Sequence, residues 1–187
     1  MTGSPSPSPV RLFVALDLPD DACRALAAWQ AQVLACEPAL RMVAPSSLHV
    51  TLSFLGPQSP HRVAAIAAIM NDHAASVSGL ALGGASWRPR SHPRLLAVEL
   101  IDGAGSLGAV QGRMAGALQD AGVARREARA FWPHVTVARV RRGASVDVRR
   151  ALAAPASIAF AGAALTLYRS HPRPAGAVYE ALAHTPL

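Results

Sequence analysis

Lysine is absent from this 187-residue chain, so all eighteen basic residues are arginine. Guanidinium stays charged at any working pH and grips phosphate with paired N–H donors. Set against eleven acids, it gives a net charge of +7, which suits an anionic partner such as RNA; a solvated basic surface is the plainer reading. Cysteine is nearly absent too. Cys23 and Cys36 lie thirteen residues apart in what reads as one helix, about 20 Å along its axis, too far to bridge. Two unpaired thiols imply a reducing compartment, and a cytoplasmic location is expected. Aromatic residues make up only 5% of the chain, and no apolar run reaches the ~18 residues of a membrane-spanning helix.

What is present is an ordinary globular composition, 51% apolar and 16% charged, long enough to bury a full core. Residues 1–10, rich in Ser and Pro without an apolar stretch behind a basic head, read as a disordered leader rather than a signal peptide. Residues 11–187 read as one domain, since no charge run or Gly/Ser linker divides them.

Arg11–Leu18 reads as a buried strand, followed by a helix that begins at Asp20-Asp21 and stops before Glu37-Pro38. Arg41-Met42-Val43 and Leu48–Leu55 read as strands, the second ended by Gly56-Pro57. Ser59-Pro60 caps a helix through Met70. Leu80–Trp87 and Leu95–Ile101 form a hairpin, and a third helix runs from Leu107 to Ala121. Then come a strand over Pro133–Val140, a short helix near Val146–Leu152, and strands over Ile158–Leu167 and Val178–Ala183. Strands both adjacent and separated by single helices argue for α+β with antiparallel pairing.

One pattern repeats: Leu48-His49-Val50-Thr51-Leu52 and Pro133-His134-Val135-Thr136-Val137. On a strand, His and Thr two residues apart project to one face while the flanking aliphatics pack on the other. A lone His-x-Thr is weak, because strand histidines are more often structural. Two copies eighty-five residues apart are harder to dismiss, with chance duplication on the order of one in a thousand.

With both tetrads, the opening strand Arg11-Leu12-Phe13-Val14-Ala15-Leu16, the stretch Leu40 to Gly56, the run Phe131 to Arg139, and the tail Leu167-Tyr168-Arg169-Ser170 with Gly176, Tyr179 and Leu182, the chain resembles the two-histidine phosphoesterases, in particular the RNA 2′,3′-cyclic phosphodiesterase or 2′-5′ RNA ligase branch. Met42 departs from the aromatic residue common there. The resemblance implies a bilobal α+β fold, two pseudo-symmetric lobes whose antiparallel sheets line a central cleft with helices outside. It also implies a monomer needing no cofactor or metal, acting on RNA with a 2′,3′-cyclic phosphate end.

In-line opening of a cyclic phosphate needs a base on one side and an acid on the other, and imidazole serves in either state near neutral pH. The resemblance assigns His134 as the base that activates water and His49 as the acid that protonates the departing 3′ oxygen. Thr51 and Thr136 donate to the non-bridging oxygens. A 5′-hydroxyl RNA end as nucleophile in place of water gives 2′-5′ ligation.

Arg139, Trp132, Phe54 and Ser170 complete the candidate set as substrate-binding residues. Strict alternation places Arg139 on the face opposite His134, so a phosphate contact requires a bulge, a strand end or a long reach. Phe54, on an apolar strand, reads first as core, with base stacking as the alternative, and Trp132 is the better stacking candidate. Arg-Ser-His-Pro-Arg occurs at 90–94 and 169–173 and reads as two similar hairpin turns. His61, His73 and His184 read as surface or cap residues. A non-catalytic RNA- or nucleotide-binding module using the same cleft is the alternative from another class.

Overall fold

The computed structural model describes residues 8–35, 37–125, 127–149, 152–174 and 176–187. The first seven residues of the expected leader, and Cys36, lie outside the described residues. Among those described, nine strands and three helices alternate in the mixed order expected: β1 Val10–Asp17, α1 Asp20–Val33, β2 Leu40–Met42, β3 His49–Gln58, α2 Val63–Asp72, β4 Leu80–Arg88, β5 Leu95–Asp102, α3 Ser106–Asp120, β6 His134–Val140, β7 Ala159–Phe160, β8 Ala164–His171 and β9 Val178–Pro186.

Every strand pair is antiparallel, in the order β7-β4-β5-β6-β3-β1-β8-β9, with β2 also on β6. The bilobal α+β fold is therefore present as two four-stranded halves, β7-β4-β5-β6 and β3-β1-β8-β9, joined where β3 meets β6. That junction is a single rung, Val50 opposite Val135. One face of the sheet carries Leu12, Val14, Leu16, Val50, Leu52, Val135 and Val137, all buried in one apolar core with Leu26 and Trp29 of α1, Ile66 and Met70 of α2, and Val110 and Met114 of α3. The opposite face forms the cleft.

Both tetrads are followed by a bulge. In β1–β3, Ala15 faces Thr51 but Val14 faces Ser53, leaving Leu52 as the extra residue. In β5–β6, Ala97 faces Thr136 but Leu96 faces Ala138, leaving Val137 as the extra residue. A bulge disturbs the ladder, and a buried carbonyl left short of donors is costly. Each bulge carbonyl is met by a glutamine from a helix of the other half of the chain. Gln30 of α1, itself only 3% exposed, donates through Nε2 to Val137 O at 2.6 Å and to Val43 O at 3.0 Å. Gln111 of α3 donates to Leu52 O at 3.2 Å.

Several sequence-based boundaries change. β1 takes in Val10, which buries its side chain instead of belonging to the leader. Gly56-Pro57 does not end β3, which continues to Gln58. Gly56 adopts φ +67°, a left-handed conformation open to glycine, at a second irregularity between Leu12 and Phe13, and pairing resumes beyond it. The helix expected near Val146–Leu152 is not found among its described residues. The strand expected over Ile158–Leu167 is split into β7 and β8, which pair with different strands. Only the first Arg-Ser-His-Pro-Arg copy lies in a turn; the second begins on β8, where Arg169 and His171 pair with Glu180 of β9.

Replacing Gln30 by Leu keeps the volume but removes both Nε2 bonds, the one to Val137 O buried and the one to Val43 O part-buried, and leaves Val137 O with the Val43 N–H alone. The Gln30→Leu variant is expected to lose about 1–3 kcal/mol of stability in urea unfolding; an unchanged midpoint would show that the bulge does not need the glutamine.

Candidate active site

The single rung between β3 and β6 dictates the site. With Val50 opposite Val135, antiparallel geometry sets His49 beside Thr136 and Thr51 beside His134, all four on the face the valines leave. Both valines are fully buried. The two imidazoles and two hydroxyls open into one cavity of about 490 Å³.

Each imidazole is oriented in the same way. His49 Nδ1 lies 2.9 Å from Ser47 O, and His134 Nδ1 lies 2.7 Å from Trp132 O. A carbonyl only accepts, so each Nδ1 carries the proton and each Nε2 is the nitrogen left for chemistry. In the neutral ring Nε2 accepts a proton; in the charged ring it donates one.

The bulges decide what else reaches the cleft. Because Val137 and Ala138 both point into the core, Arg139 returns to the face of His134 and lines the cavity. This is the bulge that a phosphate contact by Arg139 requires. The bulge at Leu52 does the same in the other half, bringing Phe54, 76% exposed, to the cavity wall. The reading of Phe54 as core is overturned: both His+5 positions face the cleft, one aromatic and one cationic.

Ser170 of β8 also lines the cavity, so seven of the eight expected site residues converge there. Trp132 does not. Its ring stacks on His134, with centroids 4.0 Å apart and planes at 16°, and the Arg88 guanidinium lies 4.1 Å from its centroid. Two planar groups this close cannot share one face, so both faces are taken. Trp132 supports a histidine instead of offering a platform for a base.

The sequence reading missed a carboxylate beside each imidazole. Asp17 stands directly opposite His49 in the β1–β3 register, and Glu99 directly opposite His134 in the β5–β6 register. Asp17 accepts from Thr166 Oγ1 at 2.6 Å and from Tyr168 OH at 2.9 Å. Glu99 accepts from Ser86 Oγ at 3.3 Å and faces Arg88 Nη2 at 3.4 Å. Only strand register reveals them. Phe13 and Tyr179 were missed as well; their rings lie 5.0 and 5.3 Å from His49 and enclose it. Tyr179 belongs to the family pattern, yet nothing in the sequence places it against the first tetrad. Of the remaining histidines, His73 sits at the C-terminal cap of α2 with Nδ1 2.9 Å from Ile69 O, His61 is exposed, and His184 is exposed with Nδ1 3.0 Å from Thr166 Oγ1.

Burial holds both imidazoles below their ordinary value. For His49, the Ser47 carbonyl and Asp17 push back upward, while Arg139 and His134 push further down. For His134, the Trp132 carbonyl and Glu99 raise, while Arg88 lowers. Burial, reinforced by Asp17, raises the Tyr168 phenol well above the usual tyrosine range, so it remains a donor to that carboxylate.

Arg88 thus favours the neutral form of His134. Removing its charge in Arg88→Gln is expected to raise the His134 titration midpoint followed by imidazole NMR, since one cation fewer opposes the imidazolium. A midpoint that stays or falls would show that the guanidinium is screened from the ring.

Comparison with known proteins agrees with this geometry. The family model described as the 2′-5′ RNA ligase superfamily matches residues 18–173. Among curated protein sequences, none matches this chain. The chain is similar in structure to E. coli LigT solved with 3′-AMP, at 25% identity and TM-score 0.76 over 96% of this chain and 98% of that one. The protein TT0787 of Thermus thermophilus is 26% identical with TM-score 0.73, over 95% and 97%. A third solved structure, a phosphoesterase at 24% identity and TM-score 0.78 over 96% and 98%, shares the fold. With paired tetrads on the two central strands of a LigT-like fold, the chain belongs to the 2′-5′ RNA ligase superfamily of two-histidine phosphoesterases.

Proposed function

We propose that this chain is an RNA 2′,3′-cyclic phosphodiesterase that hydrolyses the cyclic end to a 2′-phosphomonoester with His49 and His134 as its acid–base pair. The observation that carries the reading is the antiparallel pairing of two His-x-Thr units across one cavity, each with its Nε2 left free by a carbonyl on Nδ1.

In-line displacement at phosphorus needs proton transfer at both ends of one axis. His134, neutral, accepts the proton of the attacking water through Nε2 as the new P–O bond forms. His49, protonated, donates through Nε2 to the departing 3′ oxygen as the old P–O bond breaks. The family resemblance supplies this assignment; each imidazole has a carboxylate directly across the neighbouring strand, Asp17 for His49 and Glu99 for His134, and a guanidinium that opposes its charge, Arg139 for His49 and Arg88 for His134. Thr51 and Thr136, each beside the other half's histidine, suit the two non-bridging oxygens. Arg139 adds a guanidinium for the developing charge.

Support for a nucleotide comes from Phe54, Phe13 and Tyr179, aromatic rings gathered in a cavity that Arg139 also lines. E. coli LigT, which shares the fold, was solved with 3′-AMP. With a 5′-hydroxyl RNA end in place of water, the same proton transfers run in the same direction: the base takes the 5′-hydroxyl proton, the 3′ oxygen departs, and a 2′-5′ linkage forms. Water, far more concentrated than RNA ends, makes hydrolysis the dominant outcome.

Incubation with an RNA ending in a 2′,3′-cyclic phosphate, followed by identification of the product, tests this directly. A 2′-phosphate is expected, and a 3′-phosphate would reverse the leaving group. His49→Ala and His134→Ala are each expected to lose about 10²–10⁴ in kcat; full activity in either would sink the mechanism.

The pH dependence has a definite sign. On the acid limb of kcat/KM, the base is lost as His134 protonates; on the alkaline limb, the acid is lost as His49 deprotonates. Burial lowers both groups, so the kcat/KM maximum is expected on the acid side of about 6.5, the ordinary imidazole value. Bound phosphate stabilises both imidazolium forms, so the kcat profile lies at higher pH. A kcat/KM maximum above neutrality would show that burial does not hold the two imidazoles below their ordinary value.

A further inference from the structure

The catalytic cavity does not end at His49. A second chamber of about 740 Å³ adjoins it and shares His49, Ser47, Arg139 and Tyr179 as walls. Its own walls are β2 with the residues after it, and the connection from β8 to β9. They bring Arg41, Met42, Arg173 and Val178. Each chamber falls within the range of about 300–1,000 Å³ usual for small-ligand sites.

Its chemistry is unlike that of an incidental groove. Arg41, Arg139 and Arg173 line it, and among the described residues no carboxylate does. Met42 is 48% exposed and Val178 55% exposed. Three of the five exposed large apolar residues among those described, Met42, Val178 and Phe54, stand on the walls of the two chambers. Guanidinium groups beside exposed apolar surface match a ligand with both a phosphodiester and a planar base. Gly176, at φ +127°, takes a conformation that favours glycine and stands against the Arg41 guanidinium, where the β8–β9 connection meets β2.

Within an RNA a 2′,3′-cyclic phosphate can only stand at the 3′ terminus, so the rest of the chain leaves from the 5′ oxygen of the terminal ribose through one phosphodiester. We infer that the outer chamber is a second nucleotide site, which holds the penultimate nucleotide with its phosphate toward Arg173 and Arg41 and its base on Met42 and Val178. This inference rests on the proposed reading of the first cavity and narrows it. The nucleotide before the cyclic end is held as well, so an oligoribonucleotide end is preferred over a mononucleotide carrying the same phosphate.

Binding of the products separates this inference from the catalytic reading, because it requires no turnover. Dissociation constants of the full chain are to be measured by calorimetry for a mononucleoside 2′-phosphate and for a dinucleotide ending in a 2′-phosphate, at about 0.1 M salt. The dinucleotide is expected to bind at least tenfold more tightly. Arg173→Glu, a change at an exposed side chain, is expected to shrink that difference to threefold or less. Equal affinities in the unsubstituted chain, or a gap that survives Arg173→Glu, would overturn the second site. Turnover of the corresponding cyclic-ended compounds, measured alongside, reports separately on the catalytic proposal.

Discussion

One rung of backbone pairing, Val50 against Val135, holds the two halves of the sheet together, and the site follows from it. Had β3 and β6 run parallel, the two histidines would stand side by side with both threonines displaced along the strands. Antiparallel pairing through the central valine of each tetrad sets them diagonally instead, each beside the other unit's threonine. A shift of register by one residue would turn one tetrad toward the core and leave its valine in the cleft. Complete burial of both valines opposes that slip.

The symmetry is close in the chemistry and broken in its surroundings. Both halves supply a histidine fixed by a carbonyl two residues earlier, a carboxylate across the neighbouring strand, and a bulge that delivers the fifth residue to the cleft. They then diverge. One imidazole is enclosed by Phe13 and Tyr179; the other rests on Trp132, backed by Arg88. The aromatic residues are few, yet Phe13, Phe54, Trp132 and both tyrosines gather here.

Much of this is legible in the sequence because a strand's alternation writes the tetrads out directly, and because helices and hairpins announce themselves by apolar spacing and turn residues; the expected Ser59 cap makes no side-chain hydrogen bond. The bilobal fold and its family follow from residues spread along most of the chain. What cannot be read is anything that depends on a bulge. Phe54 looks like core and Arg139 looks misdirected, both because simple alternation fails where Leu52 and Val137 are inserted. Asp17 and Glu99 stay hidden for a related reason: each is distant in sequence from its histidine and meets it only through pairing. Trp132 reads as a surface for a nucleobase because its proximity to Arg88, forty-four residues earlier, has no local signature.

The two glutamines behind the bulges also bear on how the molecule is assembled. Gln30 precedes the first tetrad but serves the second, and Gln111 precedes the second but serves the first. As the chain is synthesised, the strand bearing His49 is complete long before the helix that fastens its bulge exists. The strand bearing His134 finds its fastener already made. Neither strand that carries a tetrad draws its glutamine from its own half of the chain, so the two histidines are held in their final setting only once the two halves have exchanged these fastenings.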